Sequence, residues 1–235
     1  MFAALFSPVA AGLYALAQRV LALPMSVIGS AIGNVFLANA AEAHREKRLA
    51  PLVARMHEKL AHIAMPPALI LMISAPELFA LTFGEQWREA GNFAQWMAPW
   101  IYLVFVASPL STLFEVMEKQ KQHLLFQAVL LIVRIVTILG GAIYHDLELA
   151  IAGFSIGSAA CWIWLLCWIN RIAGNGLSNI LWPSISALTW AFFCVLPLLI
   201  GINYFSDNYT WLIFLALSAT LVCLRYLSFL KKDFQ

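Results

Sequence analysis

An all-α bundle of about seven membrane-spanning helices is the architecture that three features of this chain predict. Hydrophobic residues make up 63% of its 235 residues and charged residues only 11%, against about a quarter charged in an ordinary soluble domain. The apolar residues run continuously instead of alternating, in segments near the roughly 20 residues that a helix needs to cross a bilayer. Lipid offers the backbone no hydrogen-bond partner, so a spanning segment is a helix or a strand of a closed barrel, and unbroken apolar runs select the helix.

The predicted spans are Gly12 to Asn39, Leu60 to Phe83, Phe93 to Val116, Leu124 to Tyr144, Ala150 to Asn170, Leu181 to Asn203 and Trp211 to Leu230. The first is the longest and has room to tilt or protrude. The polar stretch Glu42 to Lys59 reads as an amphipathic helix whose basic residues lie near anionic headgroups. No loop is long enough to hold a separate catalytic domain. Trp87, Trp96, Trp100, Trp182 and Trp211 fall near span ends, where indole rings anchor a helix at the interface.

Taken alternately, one set of loops holds Arg45, Lys47, Arg48, Arg55, Lys59, Lys119, Lys121, Arg171, Lys231 and Lys232, and the other only Arg88. Basic residues are retained on the cytoplasmic side, which predicts a cytoplasmic C-terminus and, for an odd number of spans, an external N-terminus. Met1 to Ala11 has neither the basic flank nor the cleavage site of a signal peptide. An external start without such a leader points to a missing upstream segment.

Several chemistries are disfavoured. The net charge of +2 is shared among loops and forms no nucleic-acid surface. Cys161, Cys167, Cys194 and Cys223 lie inside predicted spans with no zinc or disulfide spacing. His57 and His62 are five residues apart, about 140° around a helix, whereas a zinc-protease helix needs histidines four apart on one face. No metal or cofactor site is expected. There is no Gly-rich phosphate loop followed by Lys and Ser or Thr, so the chain shows no means of hydrolysing ATP.

Polar residues inside the spans are the candidate functional groups. Gly12, Arg19, Ser26, Ser30, Gly33 and Asn34 fall within an arc of about 100° on the first helix. An arginine at the centre of a span costs about 2.5–3.5 kcal/mol on insertion scales and usually faces a cavity or a partner. Arg19 therefore reads as an anion-binding group in a water-filled cavity, or as a side chain snorkelling to the nearby interface. Arg134 lies deeper, near the middle of the fourth span, with Gln127 and Gly141 a heptad away on the same side. A functional role and a structural ion pair, for which Glu115 is the nearest candidate, both fit it. Ser108, Ser111, Thr112 and Glu115 make a further stripe on the third span.

Pro24, Pro66, Pro67, Pro76, Pro99, Pro109, Pro183 and Pro197 lie in or beside spans, where each removes a backbone hydrogen bond and permits a kink. Gly29 with Gly33 and Gly153 with Gly157 supply small-xxx-small surfaces for close helix approach.

The run from Gly12 through Tyr14, Gln18 and Arg19 to Pro24, followed by Ile28 to Gly33, resembles the polysaccharide-biosynthesis flippases of the multidrug, oligosaccharidyl-lipid and polysaccharide exporter superfamily. The resemblance continues through Ala75 to Phe79, Phe83 to Gly91 and Ala107 to Leu113, and extends more weakly to about Arg171. It implies a transporter of two pseudo-symmetric lobes, of which this chain is similar to most of the C-terminal one, with the N-terminal lobe absent. It also implies that Arg19 faces the central cavity, suited to a pyrophosphate head. Gln18 stands where some relatives carry an acid, which puts acid-dependent ion coupling there in doubt. Asn34 and Arg134 join Gln18 as cavity candidates.

The leading expectation is thus a component of a bacterial inner-membrane flippase that carries a polyprenyl-pyrophosphate-linked oligosaccharide for lipopolysaccharide or other surface polysaccharide. Its partners would be membrane lipid, that substrate and an N-terminal lobe in cis or as a separate chain. No covalent chemistry is implied. The rival expectations are an exporter of drugs or other amphiphiles, a membrane-embedded glycosyltransferase or polymerase, and a truncated product without activity of its own.

Overall fold

The computed structural model describes residues 2–204 and 210–233, with side chains at all of these except 2, 24–27, 203–204 and 228–233. Met1, the side chains of Pro24 and Ser26, and those of Lys231 and Lys232 therefore lie outside the described set. The described residues form helices α1 (Phe2–Leu5), α2 (Pro8–Arg45), α3 (Leu49–Phe83), α4 (Arg88–Ser111), α5 (Leu113–Val116), α6 (Gln120–Ile143), α7 (Leu147–Ala173), α8 (Ser178–Tyr204) and α9 (Thr210–Asp233), with a 3-10 turn at Glu85–Trp87. No strand occurs among them. Six helical segments are long and apolar enough to cross a membrane, or seven when α2 is counted as one span, its halves Pro8–Leu23 and Ile28–Arg45 meeting at 45°. This is an all-α, multi-pass membrane fold. The bend falls between Leu23 and Ile28.

The helix ends follow from local chemistry. Ser7 caps α2 by accepting from the amide of Ala10 at 3.0 Å, with Pro8 at the first helical position. Asp146 caps α7 through the amide of Leu149 at 2.9 Å. Four helices end in the same closed turn, with a left-handed residue at Lys47, Glu118, His145 or Gly174. In each, the next amide reaches back five residues: Arg48 to Ala43, Lys119 to Phe114, Asp146 to Gly141 and Asn175 to Asn170, at 2.7 to 3.0 Å. Three of these four positions are not glycine, although a side chain disfavours that conformation by about 1–2 kcal/mol.

One such turn alters the expected outline. The stretch Glu42 to Lys59 is not a separate amphipathic helix: it is split by the turn at Glu46 to Arg48, and Leu49 onwards runs straight into α3. No breaker separates Lys59 from Leu60, so the polar turns continue as the lower part of a long span. The third expected span likewise breaks at Thr112 into α4 and α5, just after Pro109, which cannot donate to the carbonyl of Phe105.

Helix α4 is the centre of the bundle, packing against α2, α3 and α7, while α6 pairs with α7, and α8 with α3 and α9. Close approach is set by glycines. A Cβ on Gly91 of α4 would stand 2.6 Å from the carbonyl oxygen of Ala75 and against Pro76 of α3, and one on Gly141 of α6 would meet Ala150 of α7. Gly153 and Gly157 face Thr137 and Val133 of α6, whereas Gly29 meets nothing within 4 Å.

Two of the prolines explain polar cross-links between helices. Pro76 leaves the carbonyl of Met72 without its i+4 donor, and the Gln95 amide of α4 donates to that oxygen at 3.0 Å. Pro67 does the same to Ile63, whose carbonyl accepts from the Tyr226 hydroxyl of α9. In lipid an orphan carbonyl has no water to turn to, so each proline creates a docking point for a neighbouring helix.

Three basic turns share one end of the bundle. The Asn175 amide donates to the carbonyl of Ala50 at 2.9 Å, tying the α7–α8 turn to the start of α3. The ring of Phe114 on α5 lies 5.5 Å from that of Trp168, bringing the α5–α6 turn alongside. Arg88 belongs to the other end, where it bridges Glu77 at 3.1 Å and Glu85, and where Trp96 donates to Glu148 at 3.2 Å.

Candidate functional site

Helix α2 presents one packed and one open side. Leu13, Ala17 and Leu21 are buried in the bundle core, whereas Gly12, Gln18 and Arg19 are exposed. The side chains of Gln18 and Arg19 make no hydrogen bond or ion pair among the described residues. Asn34 is also exposed, but it lies beyond the bend, fifteen residues or about 22 Å of helix from Arg19. There it borders a polar notch of about 390 Å³ with Ser30 and Gly33 of α2 and Ser108 and Thr112 next to it. The stripes of the first and third spans thus meet between α2 and α4. Ser111 and Thr112 donate back to their own helix, to the carbonyls of Ser108 and Pro109 at 2.7 and 2.9 Å, which leaves Asn34 as the free side-chain amide of that notch.

Arg134 is not on this face. Its guanidinium sits 5.2 Å from the ring centre of Trp100 on α4 and 5.0 Å from that of Phe154 on α7, and Nε donates to Ser158 Oγ at 3.1 Å. Tyr14 packs edge-on against Phe154 with centroids 6.0 Å apart. Tyr14 and Arg19 are five residues apart, about 140° around α2, so that helix separates Arg134 from Arg19. Glu115, the expected ion-pair partner, is exposed on α5 and forms no bridge to Arg134. Two aromatic faces and a hydroxyl take the place of a carboxylate, as a desolvated guanidinium permits.

An apolar groove of about 510 Å³ opens between α2 and α3, which hardly touch each other, with α4 as its floor. Val20, Leu21, Pro67, Leu71, Ile101 and Phe105 line it, and Tyr226 of α9 closes one side. Phe105 also lines the polar notch, so the two spaces share a wall. The groove comes from a topological fact invisible in sequence: consecutive helices both pack on α4 and leave a gap between them.

Arg225, an intramembrane charge that the polar-stripe reading passed over, stands beside Tyr226 with its guanidinium 4.5 Å from the ring centre of Trp190 on α8. Its position in the last predicted span was the available signal. The buried His57 places Nε2 3.2 Å from Ser184 Oγ on α8, and His62 is only half-buried. No cluster of three metal-ligating side chains occurs among the described residues.

Fold and surface together define a helical, multi-pass membrane protein in which the exposed Arg19 of α2 lies on a helix that borders an apolar groove. The family model for "Polysaccharide biosynthesis protein" matches residues 1–92, which hold α2 and α3. The solved structure of "Lipid II flippase MurJ, inward closed conformation" superimposes with a TM-score of 0.74 at 10% identity, over 96% of this chain and 48% of that one. The chain thus has the MurJ-like fold and spans about half the length of that flippase. No curated protein matches it.

Proposed function

We propose that the chain is the C-terminal lobe of a flippase that moves a polyprenyl-diphosphate-linked oligosaccharide from the cytoplasmic to the outer face of the bacterial inner membrane. The observation that carries this reading is Arg19: a guanidinium within a spanning helix, exposed and without a partner among the described residues. An anionic diphosphate is the group that such a cation recognises through charge-assisted hydrogen bonds. Gln18 beside it and Asn34 in the α2–α4 notch offer amides to sugar hydroxyls, and the groove between α2 and α3 accommodates polyprenyl chain while the head crosses. The family match over residues 1–92 and the flippase fold support the same reading.

The step is physical: no bond is made or broken. A second lobe, in cis or as a separate chain, faces α2 and α3 and rocks against them to alternate access. The basic end of the bundle is the cytoplasmic one, which puts the N-terminus outside. In the protein as its gene encodes it, Arg19→Ala abolishes export of surface polysaccharide at unchanged protein abundance, and Arg19→Lys retains part of it. Export unchanged in Arg19→Ala would contradict the reading. The nearly all-apolar groove favours one rival, export of amphiphiles; inhibition of transport by a neutral amphiphile but not by a lipid-linked diphosphate would select it.

A further inference from the structure

At the basic end, α7 and α8 diverge from their shared turn and leave a cleft of about 650 Å³ that none of the transport machinery above uses. Along α7 its wall is Trp164, Cys167, Trp168 and Arg171, spaced i, i+3, i+4 and i+7 on one helix face. Leu177 of the turn and Ile180 of α8 form the opposite wall, and Asn170 and Asn175 also line the cleft. Trp164 and Trp168 stack with centroids 5.3 Å apart, and Phe114 supports Trp168 from behind at 5.5 Å. Arg171 is exposed, and its guanidinium makes no hydrogen bond or ion pair among the described residues.

We infer that this cleft binds one anionic glycerophospholipid from the leaflet at the basic end, its phosphate on Arg171 and an acyl chain along Trp168 and Trp164. The dimensions suit that occupant. Trp168 and Trp164 lie about 4.5 and 10.5 Å deeper than Arg171 along the helix, at the depths of the glycerol region and the upper acyl chain. Charge singles out an anionic headgroup: the partial negative charge ending α7 and the partial positive charge starting α8 oppose each other at the mouth, which leaves the guanidinium as the net local charge. Basic pockets between spanning helices on the positively charged side are the usual place for such headgroups. The side chains are already held, since Asn175 donates to Ala50 at 2.9 Å and Asn170 to Leu166 at 3.0 Å. A lipid here also fills the wedge between α7 and α8. The inference does not depend on the transport reading.

The test is tryptophan fluorescence of the full chain in phosphatidylcholine vesicles containing a minor fraction of phosphatidylglycerol brominated on its acyl chains, against the same fraction of brominated phosphatidylcholine. The brominated anionic lipid should quench in excess of the neutral one. That excess should disappear in Arg171→Gln, persist in Arg171→Lys, and disappear in the Trp164→Phe, Trp168→Phe double variant, whose remaining tryptophans report the background. Equal quenching by the two lipids in the wild type would overturn the inference, as would an excess that survives Arg171→Gln. Displacement of the brominated lipid by a polyprenyl diphosphate but not by unlabelled phosphatidylglycerol would overturn it in favour of a substrate site.

Discussion

Two arginines within spanning helices have opposite surroundings, and the difference is measurable. Arg134 is enclosed by Trp100, Phe154 and Ser158, while Arg19 is exposed with no partner among the described residues. A desolvated cation over aromatic rings contributes about 2 kcal/mol. Thermal unfolding in detergent should therefore show a clear loss of stability for Arg134→Ala and little change for Arg19→Ala; the reverse order would contradict the assignment. The proline-freed carbonyls give a second residue-level prediction. Tyr226→Phe orphans the Ile63 carbonyl and should cost about 0.6 kcal/mol, up to about 1.7, the range of such bonds in membrane bundles. In a Pro67→Ala background an amide returns to that carbonyl, so the cost of Tyr226→Phe should shrink; an undiminished cost in the double-mutant cycle would show that the bond is not tied to the proline.

The helices themselves were legible from apolar run length, because in lipid nothing else can satisfy the backbone. Their ends were less so. Lys47, Glu118 and His145 take a left-handed turn that glycine normally announces, and only Gly174 carries the usual signal. Close crossings were partly hidden for a related reason. Gly91 has no small-xxx-small partner and Gly141 has only Thr137 at that spacing, yet a Cβ on either would strike backbone of a neighbouring helix, whereas one on Gly29, of a matching glycine pair, would meet nothing within 4 Å. Gly91→Ala should accordingly destabilise the α3–α4 crossing by about 1–3 kcal/mol, read as a lower melting temperature, while Gly29→Ala should leave that temperature unchanged. Equal effects would mean that the crossing tolerates the added carbon.

For the molecule as a whole, the polar candidates divide according to packing that periodicity cannot show. Gln18 and Arg19 keep the open side of α2, Asn34 joins the third-span stripe beyond the bend, and Arg134 is turned into the bundle. The groove between α2 and α3 was illegible because it depends on two consecutive helices choosing the same third neighbour. The amides at Gln18 and Asn34 and the apolar groove make sense together if a charged, sugar-bearing head and a long apolar tail are handled by one lobe. The most direct measurement is binding of a polyprenyl-diphosphate oligosaccharide to the full chain in lipid nanodiscs, compared with the same polyprenol carrying no phosphate. Preferential binding of the diphosphate, lost in Arg19→Ala and kept in Arg134→Lys, is the predicted result. Equal binding of the two lipids, or a diphosphate preference indifferent to Arg19, would contradict the central claim.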